Sequence, residues 1–354
     1  MNLAFNIDYV YPMNTGIGRY GVELMKSCIE MGIPTEVWMT KYMKSFDPIS
    51  EEITARTVYY PWPRRILDFF WPSIRVRKKH IDWVHSANCD ILPPSYAFRQ
   101  VCMIHDLGPF MYGHMKTKQD TAVWTGRIRR AVSQAHCITV NSRSTMEDLL
   151  VFFPEASRKT FVTPLGIDHF QKSGLLKSRG MHILNVGTVE PRKNIDGLLR
   201  GYSILSQKGT VPPLVIAGKD GYRAEEYKRL ATSLGLEGTV HFTGYISDRE
   251  LMKLYSEAIC LVHPAHHEGF GFTVPEAFRW ELPVAASSNG GIGEFFSDCI
   301  WPVNPEDADS IADGIAMALD SGVTAEQLEA RRRAASELTW RNCALKTLEA
   351  LENT

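Results

Sequence analysis

The sequence predicts an α/β protein of two domains, each built on a parallel β-sheet covered by helices. The chain has 354 residues, more than one hydrophobic core usually supports, so two domains are expected. Short apolar or β-branched runs alternate with helical patterns along the chain, and this alternation is typical of parallel sheets. A polar, glycine-containing stretch at 170–180 separates the two halves and is the predicted linker.

Both halves are predicted to be Rossmann-like. The predicted strands are 3–7, 36–39, 83–85, 100–104, 137–141 and 160–163, followed by 182–186, 213–217, 240–242, 259–262 and 284–287. An apolar stripe at helical spacing after Thr339 predicts a C-terminal helix. The predicted domains are therefore 1–170 and 171–338, with the final helix at 339–354.

Composition and charge exclude several classes of protein. Apolar residues make up 44% of the chain and charged residues 22%, as in ordinary globular proteins. Lysine and arginine total 39 against 40 aspartates and glutamates, so no global field would attract nucleic acid. The seven cysteines form no Cys-x-x-Cys pair, which argues against structural zinc and disulfides and fits a reducing cytosol. Without a signal peptide or a window of ~18 apolar residues, a cytoplasmic protein is expected.

The most informative motif runs from Glu268 through a glycine-rich stretch to Glu276. Its sequence is Glu268-Gly269-Phe270-Gly271-Phe272-Thr273-Val274-Pro275-Glu276. Proline suits the first turn of a helix, so the glycines predict a tight loop that leads into one. Backbone amides and the helix dipole at such an entrance favour a phosphate. The two carboxylates accept hydrogen bonds from hydroxyls, so a nucleotide sugar, with hydroxyls on both sides of its diphosphate, fits the pattern.

A second motif follows the predicted strand 182–186. Gly187 makes a turn, and Arg192 and Lys193 come directly before the predicted helix 195–205. Two cations near a helix N-terminus oppose the helix dipole, and a bound anion would offset that cost. A solvated surface pair is the alternative, which the preceding strand and turn make the weaker interpretation.

The first half has two further candidates at the ends of predicted strands. Gly16 and Gly18 form a Gly-x-Gly without the acidic partner of a complete dinucleotide-binding motif. His105 and Asp106 end the strand 100–104, where such a pair could act as a general base and its orienting group. The alternatives are a plain strand-to-helix turn and a core histidine beside a capping aspartate.

Together these motifs resemble the donor-site signature of the retaining glycosyltransferases of family 4, which have the two-domain GT-B fold. The resemblance is most specific over 185–194 and 264–283. It implies two Rossmann-like domains facing an interdomain cleft, with the acceptor bound by the first domain and a nucleotide sugar by the second. It also implies that the C-terminal helix returns to the first domain. The reaction would transfer a hexose to an acceptor hydroxyl with retention at the anomeric carbon.

The resemblance assigns roles to individual residues. The catalytic candidates are Glu268, Arg192, Lys193 and His105. The two cations would neutralise the leaving diphosphate, while Glu268 would hold sugar hydroxyls. The donor-binding candidates are Gly16, Gly18, Gly187, Gly269, Phe270, Gly271, Tyr245, Ile246 and Glu276, the last of which would accept from the ribose. No Asp-x-Asp is present to hold a metal, and no metal or other cofactor is expected, because cations and helix ends take its place.

The finer expectations concern the donor and the acceptor. The segment from Gly16 to Tyr20 and the run 264–271 look most like mannosyltransferase-like members, so GDP-mannose is the leading donor, with other UDP- or GDP-linked sugars still open. A glycan or lipid-linked glycan in cell-surface polysaccharide synthesis is the expected acceptor. Two departures from the family pattern stand out: Glu281 replaces a usual helix C-cap glycine, and 289–294 is richer in glycine than usual.

Three alternatives remain open. Aromatic and cationic residues in 60–80 fit an interfacial helix on an anionic membrane, although a helix packed on the first sheet is the stronger interpretation, since core composition resumes at Asp82. An NAD-dependent dehydrogenase or epimerase would also contain Rossmann units, but the dinucleotide motif is incomplete. A non-catalytic nucleotide-sugar-binding scaffold is the third, and both glutamates and both cations argue against it.

Overall fold

A computed structural model describes residues 1–7, 15–40, 56–60, 80–92, 94, 97–169 and 180–354. Contacts divide the chain into two compact units. The first comprises Met1–Leu107, Ala122–His169 and Leu338–Thr354, and the second comprises Gly108–Thr121 and Phe170–Glu337. The early segment Gly108–Thr121 therefore belongs to the second unit. The predicted linker, apart from Gly180, and the segment 61–79 of the predicted membrane-contacting region lie outside the described residues.

The described strands of the first unit form one parallel sheet. They are β1 (Leu3–Asn6), β2 (Thr35–Thr40), β3 (Thr57–Tyr60), β4 (Trp83–Ser86), β5 (Arg99–Ile104), β6 (Cys137–Val140) and β7 (Thr160–Val162). Their order is β3-β2-β1-β4-β5-β6-β7, with all neighbours parallel. Strands β1, β4 and β6 are buried along their whole length, so their side chains do not alternate between buried and exposed positions.

Helices connect these strands. Residues 15–169 contain α1 (Gly16–Glu30), α2 (Gly108–Met111), α3 (Lys118–Gln134) and α4 (Arg143–Phe152), with 3-10 helices at Gly113–Met115 and Pro154–Lys159. The hydroxyl of Thr15 caps α1 by accepting from the backbone of Gly18, and Ser142 caps α4 in the same way.

The second unit contains a parallel sheet of six strands. They are β8 (His182–Val186), β9 (Leu214–Ala217), β10 (Val240–Gly244), β11 (Ala258–His263), β12 (Val284–Ser287) and β13 (Trp301–Val303), in the order β10-β9-β8-β11-β12-β13. The helices after Gly180 are α5 (Ile195–Lys208), α6 (Ala224–Ser233), α7 (Asp248–Glu257), α8 (Thr273–Phe278), α9 (Gly291–Phe296), α10 (Ala308–Ser321), α11 (Ala325–Glu337) and α12 (Trp340–Glu352), with 3-10 helices at Pro191–Lys193 and Ser297–Cys299. Strand residues such as Ile183 and Val262 share a buried apolar core with Leu198 of α5 and Ile311 of α10.

The two parallel sheets confirm the predicted α/β fold class. Two strands were not predicted, β3 and β13, and both lie at sheet edges. Strand β13 contains Pro302, which lacks an N–H for the ladder and is therefore confined to such an edge. Pro275 lies in the first turn of α8, which begins at Thr273.

The C-terminal helix α12 belongs to the first unit and packs against α1 and β6. The start of α12 is hydrogen-bonded to the segment that follows β7. Ile167 donates its backbone N–H to the carbonyl of Leu338 at 2.8 Å, and the Trp340 amide donates to Asp168 at 2.9 Å. A Cβ on Gly166 would overlap Trp340, so this close approach requires glycine.

Candidate functional site

The strand order of the second unit reverses between β8 and β11: strands β9 and β10 are added on one side of β8, and β11 to β13 are added on the other. Strands β8 and β11 are therefore neighbours in the sheet although they are distant in sequence. In open parallel sheets, ligands bind beyond the carboxyl ends of the strands at such a switch point. The segment after β8 carries the motif with both cations, and the segment after β11 carries the first glutamate and the glycine loop. Topology therefore brings the two predicted motifs to one place.

The turn after β8 depends on close backbone packing. Gly187 has a φ of 149°, and a Cβ there would lie 3.3 Å from the side chain of Lys193. A Cβ on Gly218, which follows β9, would overlap the carbonyl of Gly187. The Val189 amide donates to the carbonyl of Lys219 at 3.0 Å, so the loops after β8 and β9 run against each other.

Asn194 joins the turn after β8 to the segment after β11. It adopts the left-handed conformation, with φ 55°, and its Oδ1 accepts from the backbone of Gly197 at the start of α5, at 3.1 Å. Its Nδ2 donates to the carbonyls of Pro264 at 3.0 Å and Pro305 at 2.7 Å. The sequence motif included Asn194, but the buried hydrogen bonds by which its side chain connects three segments were not predicted.

Arg192, Lys193, His263 and Glu268 form a charge cluster at the switch point. Lys193 Nζ pairs with Glu268 Oε1, Arg192 Nη1 lies 3.2 Å from the same oxygen, and His263 Nε2 lies 3.3 Å from it. Because a carboxylate only accepts, the proton of the imidazole is on Nε2, and its Nδ1 accepts from the Thr273 hydroxyl at 3.3 Å. These donors all meet Oε1, and among the described residues none is hydrogen-bonded to Oε2.

Electrostatics fix the protonation states in this cluster. Burial by itself raises the pKa of Glu268, but Lys193, Arg192 and His263 outweigh it and hold the pKa well below its ordinary value. Burial, followed by the two cations, lowers the pKa of His263 against the opposing effect of Glu268. At neutral pH the glutamate is therefore charged and the histidine neutral. Two cations and one anion leave the cluster with one net positive charge.

The glycine loop after Glu268 packs on the start of α9. The Gly291 amide donates to the carbonyl of Glu268 at 2.8 Å. A Cβ on Gly290 or on Gly291 would overlap the carbonyl of Glu268 or of Gly269, and Gly271, at φ 81°, faces Ile292. The glycine-rich departure at 289–294 therefore has a physical reason: two backbone segments pack closer than a side chain would allow.

Phe270 lies in the middle of this loop, but its side chain belongs to the core. It is 3% exposed, and its ring lies 5.2 Å from that of Phe272, 5.3 Å from Phe295 and 5.7 Å from Phe296. Any donor contact from Phe270 must therefore come from its backbone.

The remaining donor-binding candidates of the second unit are Glu276, Tyr245 and Ile246. Glu276 lies in the first turn of α8, where its Oε2 accepts from the Tyr255 hydroxyl at 2.9 Å. Tyr245 and Ile246 follow β10 at the edge of the sheet; Tyr245 is 67% exposed and Ile246 is partly buried. Their predicted contacts to the nucleotide remain predictions.

The first unit contains His105 and the Gly16–Gly18 motif. Gly16 is the first residue of α1, and the Gly18 amide donates to the hydroxyl of the capping residue Thr15 at 3.0 Å. His105 Nε2 donates to the carbonyl of Ala87 at 2.7 Å, so that carbonyl, and not Asp106, orients the imidazole through this nitrogen. Burial lowers the pKa of His105, against the raising effects of the Ala87 carbonyl and of Asp106. His105 is therefore neutral, with a lone pair on Nδ1.

The sequence and the fold were compared with those of known proteins. Residues 14–170 match the family model described as Glycosyltransferase Family 4, and residues 167–337 match Glycosyl transferases group 1. O-antigen chain mannosyltransferase B of Escherichia coli is 26% identical over 380 residues, covering 99% of each chain. Sucrose-phosphate synthase of Thermosynechococcus elongatus is structurally similar, with a TM-score of 0.75 at 20% identity over 99% of this chain and 98% of that chain. Anabaena HepE in complex with UDP-glucose has a TM-score of 0.73 at 16% identity, with 100% of each chain covered.

The two parallel-sheet units and these structural neighbours show that the chain has the GT-B fold. With consecutive family models covering most of its length, the chain belongs to the family 4 glycosyltransferases and is similar to their mannosyltransferase members, which confirms the resemblance. In the part of the chain that is described, no helix is long and apolar enough to cross a membrane.

Proposed function

We propose that this glycosyltransferase moves a mannosyl group from GDP-mannose to a hydroxyl of a glycan or lipid-linked glycan, with retention at the anomeric carbon. The observation that carries the proposal is the convergence of Arg192, Lys193 and His263 on one oxygen of Glu268 at the switch point of the sheet. A site with one net positive charge and a remaining carboxylate oxygen suits a ligand that combines phosphates with hydroxyls.

In this proposal the charge cluster serves the donor. Arg192 and Lys193 stabilise the negative charge that develops on the diphosphate as its bond to the sugar breaks. Glu268 keeps the two cations in place through Oε1 and accepts sugar hydroxyls through Oε2. Glu276, oriented by Tyr255, accepts from the ribose hydroxyls.

The transfer step needs no separate base. The acceptor oxygen forms its bond to the anomeric carbon on the face from which the diphosphate leaves, and its proton passes to the departing phosphate oxygen. His105, neutral and held by Ala87, faces the transferred sugar in this proposal. Because Arg192 and Lys193 supply positive charge next to the diphosphate, the reaction is expected to proceed without a divalent metal, and activity retained in EDTA would test this.

The choice of mannose and of a polysaccharide setting is supported by the relatives. The Escherichia coli relative that spans the whole chain is named an O-antigen chain mannosyltransferase. We extend that setting to this protein as synthesis of a cell-surface polysaccharide on the cytoplasmic side; a membrane contact through residues 60–80, the weaker of the two interpretations of that segment, would fit this setting.

A ligand panel followed by a turnover assay tests this function. GDP-mannose, UDP-glucose, UDP-galactose, GDP, UDP and NAD are added separately, and the thermal unfolding midpoint is measured. A ligand present at 100 times its Kd stabilises the folded state by about 2.7 kcal/mol. At equal concentrations the ligand with the lowest Kd raises Tm the most, and we expect this ligand to be GDP-mannose. A shift with NAD alone would favour a dehydrogenase or epimerase, and no shift with any nucleotide sugar would contradict the proposal.

Turnover separates an enzyme from a binding scaffold. With mannose-terminated oligosaccharides as acceptors, release of GDP should accompany formation of a new glycosidic bond. The one-bond carbon–proton NMR coupling at the new anomeric centre gives its configuration, and an inverted linkage would exclude retention. Binding of GDP-mannose without transfer to any member of a broad acceptor panel would favour the scaffold.

A further inference from the structure

The segment Gly108–Thr121 contacts residues beside the charge cluster of the second unit. The Tyr112 ring lies 6.2 Å from the ring of His267, and Lys116 Nζ lies 3.5 Å from Glu190 Oε2. The segment groups with the second unit, although it comes from the first half of the chain. Neither Lys116 nor Glu190 was among the predicted site residues.

Glu190 lies between Lys116 and Arg192. Its Oε1 is 3.3 Å from Arg192 Nη2, while its Oε2 is the oxygen that pairs with Lys116. All three side chains are largely shielded from water, with exposures of 26% for Lys116, 13% for Glu190 and 16% for Arg192. Charges in such surroundings interact more strongly than they would in bulk water.

Each of the two terminal nitrogens of the Arg192 guanidinium therefore contacts a carboxylate. Glu190 meets Nη2, and Glu268 meets Nη1 at 3.2 Å, where the His267 carbonyl also accepts at 3.1 Å. Two carboxylates orient the guanidinium, but they also compete with a phosphate for its charge. With Glu190, Glu268, Arg192 and Lys193 alone the charges would cancel, and Lys116 restores one positive charge.

We propose that Lys116 and Glu190 are positioning residues for Arg192 in binding the diphosphate of the donor, an inference that rests on the function proposed above. Glu190 holds the guanidinium through Nη2, while Glu268 holds it through Nη1. Lys116 partly neutralises Glu190, so that the positive charge of Arg192 is less compensated by Glu190 and remains available to the diphosphate. Lys116 acts through Glu190 and does not touch the donor.

This arrangement predicts an unusual pattern of variants. Lys116→Met keeps the apolar stem but leaves Glu190 free to hold Arg192 more tightly, so the Kd of the nucleoside diphosphate should rise by about fivefold. Glu190→Gln alone should not weaken that binding, but it should lower kcat, because Arg192 loses one of its two orienting carboxylates. The double variant removes both the cation and the competing anion, so it should bind the diphosphate about as well as wild type.

The experiment measures the Kd of GDP and of UDP by calorimetry, together with KM and kcat for GDP-mannose. Lys116→Arg keeps the charge and should behave like wild type. Lys118→Met removes the same charge from an exposed position two residues away and should leave the Kd unchanged. Thermal unfolding of each variant checks that it is folded.

The outcomes are distinguishable. A Kd raised in Lys116→Met and restored by adding Glu190→Gln supports the inference. A double variant as weak as Lys116→Met would mean that Lys116 contacts the phosphate directly, and an unchanged Kd in Lys116→Met would mean that it has no influence on binding; either result overturns the inference. If wild-type protein binds neither GDP nor UDP, the proposed function itself fails, and this inference with it.

Discussion

Beyond the carboxyl end of β11 the second unit places Glu268 between two cations, whereas at the carboxyl end of β5 the first unit places His105 against a backbone carbonyl and an aromatic ring, with Asp106 next to it in sequence. His105 donates to the Ala87 carbonyl, and its ring is nearly perpendicular to the Tyr20 ring, with the two ring centroids 5.2 Å apart. Asn141 donates to the backbone carbonyl of His105 at 3.0 Å. The same sheet architecture thus carries charge on one unit and neutral hydrogen bonds on the other.

The difference follows from what each set of groups can stabilise. A buried carboxylate stays charged only where cations offset its desolvation, as Lys193 and Arg192 do for Glu268. A buried histidine without such an offset stays neutral, as burial makes His105 and His85. The charged edge is suited to a diphosphate, and the neutral edge is suited to hydroxyls.

The largest effect should come from removing a cation at the charged edge. Lys193→Met should lower kcat/KM by about 10²- to 10³-fold, because one of the groups that stabilise the leaving diphosphate is lost. Arg200→Met is the matched control, since Arg200 is a half-exposed cation on α5 that pairs with Asp196. Steady-state kinetics with the donor measure both, and equal activity of the two variants would remove Lys193 from the site.

A second change at the same unit concerns hydrogen bonding to the ribose. Glu276→Ala should weaken donor binding by about 1 to 3 kcal/mol through lost charge-assisted hydrogen bonds. Tyr255→Phe should have a smaller effect in the same direction, because it removes only the hydroxyl that orients Glu276. Glu329→Ala, on an exposed face of α11, controls for the loss of one negative charge. Calorimetry gives the Kd values, and unaltered affinity in Glu276→Ala would contradict its ribose role.

The neutral edge can be tested through pH. Burial, and then the proximity of His105, lowers the pKa of His85 to about 3, and the Tyr20 hydroxyl lies 3.0 Å from its Nε2. A histidine whose folded pKa is below the unfolded value of about 6.5 contributes stability that is present above that pH and is lost as pH falls. Between pH 6.5 and pH 5 the loss should be about 2 kcal/mol, at roughly 1.4 kcal/mol per pH unit.

His85→Phe should remove this part of the pH dependence, even if the variant is less stable at pH 7.5. Urea unfolding of both proteins at pH 7.5 and pH 5 measures it, and identical losses on acidification would show that His85 is protonated without penalty. Glu268 has the same sense in a lower pH range, because its lowered pKa contributes stability that is present above about pH 4.3 and is lost as pH falls through its folded pKa. The two edges should thus weaken in different pH ranges.

The smallest expected effect concerns strain at the end of α8. Glu281 has a φ of 54°, and the Leu282 amide donates to the carbonyl of Ala277 at 3.2 Å, as in a helix end that normally contains glycine. Glu281→Gly should raise the free energy of unfolding by about 1 kcal/mol. Glu281→Ala removes the same charge but keeps a Cβ, so it should give no such gain. Equal stability of the two variants would mean that the left-handed conformation carries no cost here.

Much of the fold was predictable because burial on both faces leaves continuous apolar runs. The predicted strand 182–186 coincides with β8, and 284–287 coincides with β12. The edge strands β3 and β13 lack that signal, since an edge needs neither full burial nor a complete set of donors. The departure at Glu281 was visible as a missing glycine, and the structure adds the positive φ that explains it.

The site was predictable only in part. Arg192, Lys193 and Glu268 were identified by their positions after strands, and they do meet. Lys116 and Glu190 were missed, because an isolated ion pair between distant segments leaves no pattern in a sequence.

By itself the sequence determined where strands end, where glycine permits a tight turn and which charged residues stand beside those turns. These properties are local, because they depend on neighbouring residues and on the periodicity of apolar side chains. Only the tertiary structure decided that β8 and β11 are adjacent, that three donors share one oxygen of Glu268, and that Gly108–Thr121 joins the second unit. Such contacts depend on strand order and on packing between distant segments, and many sequences with the same local pattern could satisfy them differently.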